Sequence, residues 1–318
     1  MNRDELIKPI AINEVVLRDG FQSEKQFVPT DAKVGLIDRL STTGLKKLEI
    51  TSFVSPKAVP NLRDAEEVSR RVQRRPNVIL VALVPNEKGC ERAVQCDLDE
   101  INLVLSISET HNQANMRMTT AESLAQFAQV MRITQGTRIR VNGTIATAFG
   151  CPFEGTQVQA HVLDMVARYL DLGMHSITLA DTTGMANPYQ VAHMASAYFD
   201  RFLYAPLTMH FHNTRGMGLA NLWSAAQEGV KSFDGSLGGL GGCPFAPGAT
   251  GNICTEDAVH MLETAGLETG VDLDRLLAIA RDLPAIVGHD VPGQLVHAGK
   301  SSDLHARSGI AKAVEKCQ

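Results

Sequence analysis

Long apolar runs are missing from this chain of 318 residues. No stretch approaches the roughly 18 uninterrupted apolar residues of a membrane span. The N-terminal "MNRDELIKPI" has no apolar core and carries acids, so neither a secretory signal nor a transit peptide is expected. An excess of positive charge is missing too. The net charge is -5, which argues against nucleic acid or an anionic membrane as partner. The six cysteines (Cys90, Cys96, Cys151, Cys243, Cys254, Cys317) form no C-x-x-C pair and no zinc spacing. Reduced thiols in a cytoplasmic protein are the expectation. Neither a P-loop nor a dinucleotide fingerprint occurs, so no organic cofactor is expected. Internal repeats and low-complexity segments are also absent.

What is present is regular. Hydrophobic residues make up 44% of the chain and charged residues 20%, enough for a large core. Apolar runs over 10–20, 46–53, 77–85, 100–108, 138–150, 176–184, 207–214 and 232–239 read as strands. Each precedes an amphipathic stretch, over 30–44, 64–75, 88–95, 121–134, 157–173, 188–202, 218–230 and 255–266. Thr30 and Asn187 read as helix caps, Pro188 as a first helical residue and Gly44 as a stop. The strand runs are apolar rather than cleanly alternating, as in a parallel sheet covered by helices. Eight strand–helix pairs predict an α/β TIM barrel over residues 1–288; a doubly wound sheet is the alternative. One more helix is expected over 272–288, as a short C-terminal helical extension, and a tail over 289–318.

In a TIM barrel the C-terminal strand ends and the loops after them build the active site. Those ends are where the polar residues of this sequence gather. The first run closes on Arg18-Asp19-Gly20, with Gln22 just beyond. The second carries Glu49, Thr51 and Ser52, the fifth Asn142 and Thr144, the sixth Thr178 and Asp181. The seventh ends in His210-x-His212-Asn213. A spacing of two puts both imidazoles on one face of a strand. With Asp19 across the barrel they suit a divalent ion such as Mg2+, Mn2+ or Zn2+. Two satisfied histidines are the plainer alternative. Glu49 and Asp181 read equally as salt-bridge partners of an arginine or as direct participants. The eighth run leads into "GGLGGCPFAPGATGN" (238–252), with six glycines and two prolines around Cys243.

Five segments carry a resemblance: "RDGFQSEK" (18–25), "LEITSFVSPKAVPNLRD" (48–64), "ATAFGCPFEG" (146–155), "ADTTG" (180–184) and the glycine-rich loop. Together they resemble the 3-hydroxy-3-methylglutaryl-CoA (HMG-CoA) lyases, over roughly residues 10–288. The resemblance implies a TIM barrel that cleaves an acyl-CoA thioester by a retro-Claisen reaction, giving acetyl-CoA and acetoacetate. It implies a divalent cation, Mg2+ or Mn2+, held by Asp19, His210, His212 and Asn252. Arg18, Asp19, Glu49, Asp181, His210 and Cys243 would carry the catalysis. In that scheme Arg18 stabilises the enolate, Asp19 or His210 acts as base, and Cys243 returns a proton from a closing loop. Arg18, Gln22, Ser52, Thr144 and Thr178 would contact substrate, and Lys25 and Lys57 the CoA phosphates. A homodimer is expected. The chain departs from the family pattern at Ser23, at Asn142 in place of an arginine, at Thr144 in place of a tyrosine, and at Phe211 and Asn213 around the histidine pair. A small Thr144 would leave room for a bulkier 3-hydroxy-acyl-CoA, of citramalyl or isohexenylglutaryl type. A Claisen-type synthase is a further alternative, disfavoured by the G-G-C-P loop.

Overall fold

Eight short strands, rich in Ile, Leu and Val, pair side by side until the last meets the first. They are β1 (Ala11–Glu14), β2 (Lys47–Ser52), β3 (Ile79–Leu83), β4 (Glu100–Ser106), β5 (Arg140–Ala146), β6 (Ser176–Asp181), β7 (Leu207–Phe211) and β8 (Ser232–Gly235). All neighbours run parallel, and β1 pairs with both β2 and β8, closing the barrel. The TIM-barrel expectation therefore holds. The computed structural model describes residues 9–242 and 251–304. Among them, no helix is long and apolar enough to cross a membrane.

Helices cover the barrel: α1 (Thr30–Leu40), α2 (Ala65–Arg71), α3 (Glu87–Ala93), α4 (Glu109–Met116), α5 (Thr120–Thr134), α6 (Gln159–Asp171), α7 (Pro188–Arg201), α8 (Gly218–Gln227) and α9 (Thr255–Thr264). Their apolar faces meet the outward side chains of the strands, such as Ile12, Leu48, Leu103, Ile177, Met209 and Phe233, in one buried core. Asn187 caps α7 with Gln190 in a reciprocal pair, and Pro188 takes the first helical position, as expected.

Four local expectations are corrected. The run over 10–20 stops being a strand at Glu14. Val15 O collects the N–H groups of Arg18, Asp19 and Gly20, so Val16–Gly20 winds into one π-helical turn. Thr30 does not cap α1. It lies inside the helix after Pro29, and its hydroxyl donates to Asp64 at 2.8 Å. α4 is an additional helix, started by the Ser108 side chain. The helix expected over 272–288 is two, α10 (Leu273–Ala280) and α11 (Leu283–Val287), with Pro284 at the start of the second. A last short helix, α12 (Gln294–Ala298), is tied to α9 because Asp257 accepts from the Gln294 and Leu295 amides.

The barrel interior is polar, where branched aliphatic residues would be usual. Asn13, Lys47, Glu49, Glu100, Asn102, Asn142, Thr178, Thr208 and Asp234 line a cavity of about 10 Å³ along its axis. These groups satisfy one another. Asn142 donates to Asn102 (2.9 Å) and Thr178 (3.0 Å), and Lys47 donates to Glu100 (2.6 Å). Burying so many polar groups is tolerable only because they are paired.

Candidate active site

Arg18 and Asp19 reach the barrel mouth because the π-helical turn swings them over the end of β1. Glu14 pins that turn, its carboxylate accepting from Val16 N at 2.8 Å. The Arg18 guanidinium then spans two acids, with Nε on Glu49 and a terminal nitrogen on Asp19, each at 2.5 Å. Glu49 projects from β2 and is held from below by Asn102, which donates at 2.6 Å. Gln22 reaches Asp19 at 3.4 Å.

His210 and His212 stand at the end of β7 with ring centroids 5.1 Å apart. The chain returning from the glycine loop runs alongside: His212 bridges Asn252, and Ile253 N donates to Phe211 O at 3.1 Å. This brings the Asn252 amide against Asp19, with Nδ2 to Oδ2 at 2.6 Å. Gly241 makes the approach possible. It adopts φ +115°, and a Cβ there would lie 2.5 Å from Asn252 Nδ2.

Asp19, His210 and His212 each offer a ligand atom within 4.8 Å of the others, and all three are buried. One buried atom of the residue next to them, Asn252 Oδ1, has no hydrogen-bond partner, although Asn252 Nδ2 touches Asp19. An orphaned acceptor beside a buried cluster of ligand atoms is what a bound cation satisfies. The wider charge fits as well, since Arg18 and Lys47 are paired inside the barrel with Asp19, Glu49 and Glu100, while the ion-pair partner of Asp234 among the described residues is the His210 imidazole. The residues present therefore suit a divalent ion.

Electrostatics separate the acids. Burial alone would raise the Asp19 carboxyl, but the Arg18 charge, then His212 and His210, hold it well below the ordinary range. Burial outweighs Arg18 and Asn102 at Glu49, which is raised. Burial lowers His212, whereas Asp234 overcomes burial at His210 and raises it.

The other residues expected here are placed differently. Asp181 is fully buried and accepts from Met185 N (2.8 Å) and Ala186 N (3.1 Å), so its carboxylate shapes the turn after β6. Burial lifts it to about 6. The Ser52 hydroxyl accepts from Val54 N at 3.2 Å. Thr144 and Thr178 are register partners, and Thr178 pairs with Thr208 one layer below the Ala180–His210 level. Both accept from Asn142. Lys25 and Lys57 are exposed on loops. Cys243 and the part of its loop from 243 to 250 lie outside the described residues; of the arm expected to swing, Gly238, Gly239 and Leu240 are described and buried. Two residues escaped the sequence reading, Asn102 behind Glu49 and Asp234 behind His210. Each is a polar side chain inside an apolar strand run that carries no expected site residue, so the sequence offered no partner for it.

Fold and site define a class: a closed (β/α)8 barrel enzyme with a cation-fitting cluster at the C-terminal strand ends. Within it, the chain belongs to the HMGL-like family, whose sequence model matches residues 9–283. The hydroxymethylglutaryl-CoA lyase YngG of Bacillus subtilis is 41% identical over 295 residues, covering 93% of this chain and 99% of the relative. The (R)-citramalyl-CoA lyase of Chloroflexus aurantiacus is 39% identical, covering 92% and 96%. Among solved structures, an HMG-CoA lyase from Acinetobacter baumannii in complex with coenzyme A and 3-methylmalate superposes with a TM-score of 0.91. It is 53% identical, covering 96% of this chain and 99% of that one.

Proposed function

We propose that the chain is a divalent-cation-dependent carbon–carbon lyase that cleaves HMG-CoA to acetyl-CoA and acetoacetate. The observation that carries this reading is near-full-length similarity to lyases of that substrate, joined to the buried Asp19–His210–His212–Asn252 cluster beside Arg18. In the reaction the C3 hydroxyl loses its proton and the C2–C3 bond breaks. The electron pair passes to C2 as a thioester enolate, and C3 becomes the ketone of acetoacetate. A proton returned to C2 gives acetyl-CoA.

Asp19, His210, His212 and Asn252 would hold the cation, which acts as a Lewis acid on the hydroxyl-bearing end of the substrate. Arg18 engages its two acids through Nε and one terminal nitrogen. A fixed guanidinium there stabilises the enolate oxygen as its charge develops. His210 engages Asp234 through Nδ1, and Asp19 or His210 takes the hydroxyl proton. Glu49 and Asn102 hold Arg18 in place. Cys243 supplies the proton to C2, and Lys25 and Lys57 meet the CoA phosphates.

The test is a panel of 3-hydroxy-acyl-CoA esters with acetyl-CoA release as readout, run with chelator and after cation restoration. Chelator-sensitive cleavage of HMG-CoA is expected. Cation-loaded protein that releases no acetyl-CoA from any ester overturns the lyase reading. One second reading has support, the same chemistry on a citramalyl-type or bulkier ester. The 39% identity to a citramalyl-CoA lyase and the small Thr144 side chain favour it.

A further inference from the structure

Asn13, Asp234 and His210 are direct register partners on three adjacent strands, β1, β8 and β7. Asp234 Oδ2 lies 3.2 Å from His210 Nδ1, and Asp234 Oδ1 accepts from Asn13 Nδ2 at 2.9 Å. Asn13 also donates to Ser232, to which Thr208 donates in turn. The aspartate side chain is 15% exposed and that of the histidine 9%. Such a carboxylate is costly without a positive partner. The nearby cations are committed elsewhere, Lys47 to Glu100 and Arg18 to Glu49 and Asp19. Among the described residues His210 is the group that forms an ion pair with Asp234.

We propose that Asp234, itself oriented by Asn13, is a positioning residue that fixes the His210 ring and its tautomer for the cation cluster. The inference rests on the cation reading given above. A carboxylate on Nδ1 keeps the proton there and leaves Nε2 as the lone-pair nitrogen. It also makes that nitrogen more basic, which strengthens its bond to a divalent ion. The Asn13 donor prevents the carboxylate from rotating away. The strand register supplies the whole row, so the arrangement needs no loop to form.

The experiment titrates Mn2+ into the metal-free full chain by calorimetry and reads the histidine tautomer by 15N NMR. Asp234→Ala should weaken Mn2+ binding roughly ten- to hundredfold, the usual span for such outer partners. Asp234→Asn keeps an oxygen for the Nδ1 hydrogen but drops the charge, so its affinity should fall between. Asn13→Ala should lose affinity in the same direction by less. The Nδ1–H tautomer should dominate in the parent chain and lose its dominance in Asp234→Ala. Wild-type affinity in both Asp234 variants overturns the proposal, as does an unchanged tautomer in Asp234→Ala. If Asp234→Ala fails to fold, the near-isosteric Asp234→Asn decides alone. A parent chain that binds no Mn2+ overturns the cation reading and this proposal together. A parent chain that binds Mn2+ yet cleaves no CoA ester overturns only the lyase reading.

Discussion

Asn252 gives a side-chain hydrogen to Asp19 at 2.6 Å and leaves its own Oδ1 without a partner. The amide is locked in that sense, because Nδ2 also donates to Leu240 O at 3.0 Å. A flipped amide would lose both bonds, so Oδ1 stays the free acceptor of this buried side chain. Asn252→Ala removes that oxygen and the brace on Asp19 at once. Cation affinity should fall at least roughly tenfold, the lower end of what outer partners alone are worth. Calorimetric titration of Mg2+ or Mn2+ checks it, and unchanged affinity removes Asn252 from the cation set.

Cys243 follows Gly242, whose carbonyl accepts from Ser23 Oγ at 3.3 Å. The chain therefore enters the loop beside the segment that carries Arg18 and Asp19. If the thiol returns the proton to C2, Cys243→Ser should lower kcat by roughly 10²–10⁴, since a hydroxyl is a far weaker acid. Cation affinity should stay close to that of the parent. A steady-state assay with a parallel titration separates the two effects, and near-full turnover ends the acid role.

Much of this was legible in the sequence for a physical reason. Parallel strands buried on both sides announce themselves as apolar runs, and eight of them between amphipathic helices leave few architectures. Asp19, His210 and His212 were legible because charged or imidazole groups at the end of an apolar strand require a partner. Asn13, Asn102 and Asp234 were not. A polar residue within a strand reads as solvent-facing, whereas here the inner face looks into a closed polar barrel. The turn at Arg18 was missed because it depends on three amides converging on Val15 O and on Glu14 beneath it, neither of which has a local period.

Thr144 sits half-buried on the inner face of β5, beside Thr178 and above Asn142. Small hydroxyl and amide side chains leave this wall without bulk. Substituting Thr144→Tyr should cost a longer-branched 3-hydroxy-acyl-CoA more in kcat/KM than it costs HMG-CoA. The difference should be roughly ten- to 200-fold, the range set by a methylene group meeting a filled pocket. A parent enzyme that already rejects the longer ester sinks the idea that Thr144 widens the site.

Two buried carboxyls hold consecutive amides where β8 leaves the barrel: Glu14 accepts from Leu237 N, and Glu256 from Gly238 N. Burial raises Glu14 from 4.5 to about 7 and Glu256 from 4.5 to about 8, against the hydrogen bonds that pull the other way. The sign follows from proton counting. Below pH 4.5 both groups are protonated whether folded or not, and they add no pH dependence. Between pH 4.5 and about 7 the unfolded chain sheds the Glu14 proton while the folded chain keeps it. Stability therefore falls as pH rises, by at most about 1.4 kcal/mol per unit for each group, and then levels off. Glu14→Gln keeps an oxygen for Val16 N and Leu237 N but cannot titrate. Relative to this variant, the parent should lose Tm from pH 5 up to about 7 and then run parallel to it. Denaturant or thermal unfolding of the two chains across that range measures the difference. Parallel curves would mean that Glu14 enters the folded state already ionised, held by the amides and the Thr255 hydroxyl at 2.7 Å.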